Sequence, residues 1–366
     1  LRKLAAFFGS PQAILQAKKL DLKRVEGIGP SVAEEIANWE SNVDLAAELR
    51  RIEEFGARVV IQSAPEYPPQ LRELPNPPML LYVWGTLTEA DWQAVSVVGS
   101  RKTSHYGTEC AKRLSYQLAF AGLTVVSGLA RGIDTAAHQG ALAAKGRTIA
   151  IIGSGLMNLY PPENAGLAEK IAGSGAVISE FPMTFPPSTQ TFPYRNRIVA
   201  GWGRGLLVVE AGLKSGALIT AEQAIENGRM VYAVPGPIDR PTSFGANRLI
   251  QQGAKLVTCA GDILDDLNSL FPEARRKSAS ASSGSESAGV AVAGLSPEEL
   301  SILESLGTDT LPPEEIVAKS GLPLPKVSSS LLALEIKRLV RQLPGRQFVK
   351  TEKTASHLLS PSEPLE

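Results

Sequence analysis

Arginine carried on a glycine-rich turn is a means of holding phosphate, and one short stretch of this chain has two such turns. Gly99-Ser100-Arg101 follows the apolar run 95–98, and Ser127-Gly128-Leu129-Ala130-Arg131-Gly132 follows the apolar run 123–126. Glycine lets backbone approach a ligand closely, and the amide groups at a following helix start favour an anion. From Ser96 to Arg147 seven lysines and arginines stand against two acids, a net charge of +5, whereas the whole chain balances at +0. The positive charge is local. A third stretch, Thr191-Phe192-Pro193-Tyr194-Arg195-Asn196-Arg197-Ile198, sets two arginines and an asparagine beside two aromatic rings. A guanidinium offers phosphate a planar donor fork, and aromatic faces stack on unpaired bases. The competing reading puts Phe192 and Tyr194 in the core and pairs the arginines with Glu180 or Glu210.

Enzyme signatures are weak beside this. Gly153-Ser154-Gly155 lacks the third glycine of the dinucleotide fingerprint, and no acid closes the next strand at the ribose position. No Gly-Lys-Ser/Thr follows a suitable glycine, and no Gly-x-Ser-x-Gly elbow occurs. His105, His138 and His357 are dispersed, and His138 reads as a packed or solvated helix residue. Glu180 and Glu210, at strand ends, are the candidates for acid/base work, or they anchor loops by accepting backbone N–H bonds. Cys110 and Cys259 match no metal or disulfide spacing, so neither metal nor cofactor is implied and a reducing cytoplasm fits. No run of about 18 apolar residues and no signal pattern suggests membrane insertion or export. The chain starts at Leu1 rather than Met, so a short N-terminal piece is expected to be missing.

The elements that must position these groups read as strand–turn–helix repeats. A strand ending at Gly99 and feeding the helical run 107–121 begins a βαβ unit. Runs 148–152, 176–179, 206–209, 230–234 and 256–258 continue it, giving about seven mostly parallel strands with crossovers of helical length. Such sheets bind ligands beyond the carboxyl ends of their strands, so both arginine turns are expected to open onto one crevice. Residues 56–95 form a proline-rich connector with strands at 57–61 and 80–84, docked along the sheet edge. The domain expected is 56–268.

Residues 1–55 read as short helices, with a Gly-x-Gly turn at Val25-Glu26-Gly27-Ile28-Gly29-Pro30 of helix-hairpin-helix (SAM-like) type. Asp21, Glu26, Glu34, Glu35, Glu40 and Asp44 surround that turn and would repel a polyanion, which favours a structural role. A Ser/Ala/Gly linker is expected at 269–294. Beyond it, 295–350 reads as three helices, opened by the capping box Ser296-Pro297-Glu298-Glu299, and a hairpin turning at Pro344-Gly345. Lys326, Lys337 and Arg338 give this winged-helix-like unit modest charge, leaving DNA reading and protein contact both open. The tail 351–366 reads as disordered.

Together these motifs closely resemble the DNA-processing protein A (DprA/Smf) family of natural transformation over nearly the whole chain. The resemblance rests on Tyr67-Pro68 with Leu71, Val98-Gly99-Ser100-Arg101, Ser127 to Asp134, Tyr160-Pro161-Pro162-Glu163-Asn164 and Ser179-Glu180-Phe181-Pro182. It continues through Arg195-Asn196-Arg197-Ile198, Lys214 to Thr220 and Ala233-Val234-Pro235-Gly236. The chain departs from the usual pattern at Tyr194, where a basic residue is common, and at Trp202-Gly203. The resemblance implies an extended Rossmann-like α/β sheet that binds single-stranded DNA without catalysis, dimerises, and loads the RecA recombinase onto incoming DNA. Carried over by motif, Arg101 with Gly99 and Ser100 would hold a phosphate, Ser127, Gly128 and Arg131 would flank it, and Lys214 would add charge. Arg195 and Arg197 would shape the pocket, and Asn164 would order its rim. A homodimer is expected through Leu249, Ile250, Leu256, Val257, Ile263 and Leu264, an apolar patch at one end of the sheet.

The other class considered is a Rossmann-like phosphoribohydrolase with a nucleotide in the crevice. Its Gly-Gly-x-Gly-Thr loop is missing from Glu210-Ala211-Gly212-Leu213-Lys214-Ser215-Gly216-Ala217.

Overall fold

The computed structural model describes residues 2–270, 295–306, 310–337, 339–343 and 347–350. The helix Ala260–Leu270 runs two residues into the expected linker; the rest of that linker, the expected tail with His357, the turn at Pro344-Gly345 and Arg338 lie outside those residues.

Strands form where β-branched and aliphatic residues run together. They are β1 (Ala57–Ile61), β2 (Leu80–Gly85), β3 (Ala94–Val98), β4 (Thr124–Ser127), β5 (Thr148–Ile152), β6 (Ala176–Ser179), β7 (Gly205–Val208), β8 (Met230–Ala233) and β9 (Lys255–Leu256). They make one nine-stranded sheet in the order β1-β2-β6-β5-β4-β3-β7-β8-β9. The run from β6 to β9 is parallel throughout, and β1 and β2 add antiparallel at the β6 edge. The parallel strands are buried on both faces, which is why they read as continuous apolar runs without alternation. Along β3 the side chains of Ala94 and Val98 join one core while Val95 and Val97 join the opposite one.

Sheet order locates the crevice. The chain lays β4, β5 and β6 on one side of β3 and then returns to lay β7, β8 and β9 on the other. The crossovers therefore diverge between β3 and β7, and the loops beyond their carboxyl ends part to leave a cleft.

Two expectations about the periphery change. The helix Leu45–Phe55 falls in the N-terminal stretch, yet Ile52 joins the core of Tyr82 and Val177, and the Met183 amide donates to Glu48 Oε1 at 2.7 Å. Half of the patch expected to form a dimer face is interior, because Leu249, Val257 and Ile263 are buried in the two cores that flank the sheet, with Ile250 and Leu264 partly buried against them. Leu256 stays 44% exposed.

The C-terminal unit packs the helices Pro297–Leu306, Pro313–Ser320 and Leu324–Ile336 with the hairpin strands Val340–Leu343 and Gln347–Lys350. Ile302, Leu306, Ile316, Val327 and Leu334 form its core. Its first helix has the expected capping box, Ser296 N–H donating to Glu299 Oε2 at 2.6 Å and Glu299 N–H to Ser296 Oγ at 3.2 Å. Among the described residues no helix is long and apolar enough to cross a membrane.

Candidate nucleic-acid interface

A cleft of about 690 Å³ opens at the β3/β7 divergence. Gly99, Ser100 and Arg101 form one wall, Lys214, Ser215 and Gly216 the other. Gly99 is required by packing, since a Cβ there would lie 2.5 Å from Ile133 Cγ1 and 2.8 Å from the Glu210 carbonyl oxygen. The N-terminal ends of three helices, Ile133–Ala143, Gly216–Glu226 and Phe244–Gln251, contribute lining residues. Each presents partial positive charge to the same space. Among the described residues neither Arg101 nor Lys214 forms an ion pair. The cleft thus carries uncommitted cations over helix N-termini, an arrangement matched to an anion.

The loop carrying Arg101 is held from below. Its Ser100 amide donates to the Glu210 carbonyl at 2.6 Å, so that N–H is spent inside the protein and does not face a ligand. Ser100 contributes its hydroxyl, which donates to the Lys102 carbonyl at 2.9 Å. The Glu210 carboxylate accepts from Thr103 Oγ1 at 2.7 Å and from the Ser104 amide at 2.9 Å. Burial pushes this carboxyl up, but hydrogen bonds from Thr242, Thr103 and Ser104 outweigh burial and hold it below its ordinary value. Of the two roles open to Glu210 in the sequence, the geometry is that of a loop anchor.

The second arginine turn reaches the cleft only through Ala130 and Asp134. Ser127 is buried and donates to the Val97 carbonyl at 2.6 Å, a bond between neighbouring strands. Asn164 donates to the Leu129 carbonyl and to Thr135 Oγ1, both at 2.9 Å, which ties down the turn as a rim. Gly128 and Arg131 line a small adjoining recess with Arg101, Tyr160 and Phe192. There the Arg101 guanidinium lies 4.9 Å from the Phe192 ring centroid and Arg131 lies 5.6 Å from that of Tyr160. Unlike Arg101, Arg131 is ion-paired, to Glu163.

Arg195 and Arg197 are the residues whose places differ most from a phosphate-contacting role. Arg195, 4% exposed, donates to the carbonyls of Gly128, at 2.7 Å, and Ile151. It is a clip joining the ends of β4 and β5 to the helix Thr191–Trp202, with its guanidinium at the cleft floor. A Cβ on Gly128 would sit 2.8 Å from both of its terminal nitrogens. Beside it burial drives the Asp134 carboxyl up to about 6, against the opposing pull of Arg195 and the Ala130 and Gly128 amides. Arg197 points away from the cleft and pairs with Glu180 at 2.6 Å. Burial raises the Glu180 carboxyl and Arg197 opposes it. His138 is fully buried against Thr148 Oγ1 at 2.7 Å, and burial lowers its imidazole to about 3.

A family model, DNA recombination-mediator protein A, matches residues 58–268, a span that contains this cleft and the sheet but for the first residue of β1. The chain belongs to that family. A second model, the DprA winged helix domain, matches residues 286–346. Protein Smf of Synechocystis sp. is 34% identical over 95% of this chain and 94% of its own, and Protein Smf of Escherichia coli 41% identical over 76% and 74%. Among solved structures, DNA processing protein A of Streptococcus pneumoniae superposes with a TM-score of 0.62 at 36% identity, covering 72% of this chain and 95% of that one. DNA processing protein A of Helicobacter pylori, described for its single-stranded DNA binding mode, superposes at 0.52 with 27% identity, covering 60% and 97%. The family membership makes this a DNA-processing, DNA-binding chain with a winged-helix domain. Sequence reasoning missed Asp134, Thr220 and Phe244 as lining residues. Asp134 lay within a quoted motif, whereas nothing local marks Phe244, which reaches the cleft from the start of the helix that follows β8.

Proposed function

We propose that the cleft binds the sugar-phosphate backbone of single-stranded DNA without catalysis, and that the chain acts in natural transformation by protecting incoming DNA and loading the RecA recombinase onto it. The observation that carries this reading is the pair of uncommitted cations, Arg101 and Lys214, facing each other over three helix N-termini. Arg101 holds a phosphate and Lys214 adds charge, while the Phe192 ring backs the Arg101 guanidinium from the side recess. Arg131 flanks this path, while Ser127, Asn164 and Arg195 hold the loops and Arg197 acts at a distance. A narrow cleft takes a strand with splayed bases and is too tight for a duplex. Glu180 and Glu210, the carboxylates that could serve acid/base chemistry, are both committed to structural partners, which supports binding over turnover. A homodimer in the cytoplasm belongs to the same reading, with Leu256 as the part of the expected apolar face that remains open.

Titration of labelled single- and double-stranded oligonucleotides tests the reading. Single strands should bind at least about tenfold tighter, ~1.4 kcal/mol, with little sequence dependence. In a RecA filament assay with single-strand-binding protein present, the chain should shorten the lag. Equal affinity for duplex, or steady nucleobase release from AMP, would replace this reading with another.

A further inference from the structure

A second cavity, also about 690 Å³, lies at the same end of the strands as the cleft, with β4 and β5 between the two. Its floor is the end of β6 and the start of β2, antiparallel neighbours whose facing ends carry Phe181 and Leu80. Its roof is the Gly-x-Gly turn of the N-terminal helices, through Glu26, Gly27 and Ile28. Between this cavity and the cleft runs the first turn of the helix Thr191–Trp202. Tyr194 lines the cavity, and its immediate successors Arg195 and Asn196 line the cleft. A helix with its side chains is ~10–12 Å across, so a strand must cross that width, beyond the nucleotides the cleft itself holds, before it reaches the cavity.

The chemistry of the cavity differs from that of the cleft. Tyr194 is 44% exposed, and the Arg197 guanidinium lies over its ring at 4.2 Å. The ion pair of Arg197 with Glu180 fixes that cover, so the ring is a braced platform. Phe181 stands 6.3 Å from Tyr194, tilted by 57°, and stacks on Phe185 at 5.0 Å. The carboxylates at the cavity are each matched by a cation, Glu26 by Lys3 at 2.9 Å and Glu180 by Arg197. A neutral space walled by aromatic rings does not attract phosphate. It suits a flat, uncharged group, and Asn76 with Glu180 supplies acceptors and donors for a polar edge.

We propose that this cavity takes a base of the same single strand, turned out of the backbone path as the strand passes over the Thr191–Trp202 helix and stacked on Tyr194. The proposal rests on the strand-binding reading of the cleft. It gives the acidic N-terminal turn a role that needs no phosphate contact: Gly27 and Ile28 close the cavity above the base.

The test measures affinity of the full chain and its variants for oligonucleotides of about 4 and about 16 nucleotides, the span of single-strand site sizes. Tyr194→Ala should weaken the longer one by about 5- to 100-fold, the worth of one stacked base, and leave the shorter unchanged. Tyr194→Phe should bind both like the parent, and thermal unfolding of both variants should match the parent because Tyr194 is half exposed. Arg101→Ala should weaken both lengths. Parent-like binding of both lengths by Tyr194→Ala overturns the second cavity as a DNA site and leaves it to another occupant, with the cleft intact. Equal weakening of both lengths places Tyr194 in the cleft and also overturns it, and loss in Tyr194→Phe overturns stacking. Failure of the parent to bind either length, or no effect of Arg101→Ala, sinks the underlying cleft reading instead.

Discussion

Replacing Arg101 with alanine isolates the cleft from the fold. The side chain is exposed, forms no ion pair among the described residues, and touches Phe192 by its guanidinium face at 4.9 Å. Its removal strands no buried charge, so the thermal midpoint should stay within the ordinary scatter of surface substitutions, about 0.5 kcal/mol. A charged hydrogen bond to phosphate contributes roughly 1.5 to 3 kcal/mol, so affinity for a single strand should fall by roughly 10- to 100-fold. Salt dependence separates this from a loss of shape. Each phosphate neutralised on a single strand contributes ~0.7 to the slope of log K against log salt, and Arg101→Ala should flatten the slope by about that amount. Arg101→Lys keeps the charge and loses the planar fork, so it should keep the slope while binding more weakly than the parent. Fluorescence anisotropy across a salt series measures all of these, with Lys18→Ala as a surface control. An Arg101→Ala variant with the parent's affinity and slope would refute the phosphate cleft and leave Arg101 as a cover for Phe192.

Arg195→Ala should behave in the opposite way, unfolding earlier by several degrees because it leaves the carbonyls of Gly128 and Ile151 without their buried donor, about 1 to 3 kcal/mol for each group left unsatisfied, and removes the charge that opposes the burial of Asp134; an unchanged melt would remove its role as a clip. The Asp134 carboxyl, raised to about 6 from 3.8, makes the folded state bind more protons than the unfolded one in that window. Its contribution to stability therefore falls as pH rises from 3.8 through 6, and Asp134→Asn should flatten that part of the stability profile in pH-dependent denaturation. Glu210, held below its ordinary 4.5, has the reverse sign: its contribution is present above that value and is lost as pH falls further, so the gap between parent and Glu210→Gln should close on acidification. A fragment of residues 44–270 should bind single strands of about 4 nucleotides, which the cleft alone holds, within about tenfold of the full chain, ~1.4 kcal/mol. It begins before the helix Leu45–Phe55 because Ile52 is part of the sheet's core. Duplex affinity of the full chain should change little on its removal of the winged-helix unit, where Lys326 and Lys337 are already paired with Glu298 and Glu299.

The sequence alone determined the strand–turn–helix order, the parallel sheet, the capping box at Ser296 and Arg101 on its glycine turn. These are local properties: apolar runs bounded by Gly and Ser, an N-cap three residues before its glutamate, an arginine where a strand must end. Tertiary structure decided which of the marked cations face solvent. Arg101, Arg131, Arg195 and Arg197 look alike as basic residues beside glycine or aromatic neighbours. Sheet order then sets Arg101 at the β3/β7 divergence, buries Arg195 under the ends of two strands, and turns Arg197 onto Glu180. Arg131 was taken by Glu163, thirty-two positions along the chain. The apolar residues near 249–264 could not be divided into interior and surface from their types, because a chain's own core and a partner's face draw on the same side chains. The separation of Phe192 from Tyr194, two residues apart on one helix and facing different cavities, follows from a helical turn of about 100° per residue and was settled only once the neighbouring strands and the N-terminal turn were in place.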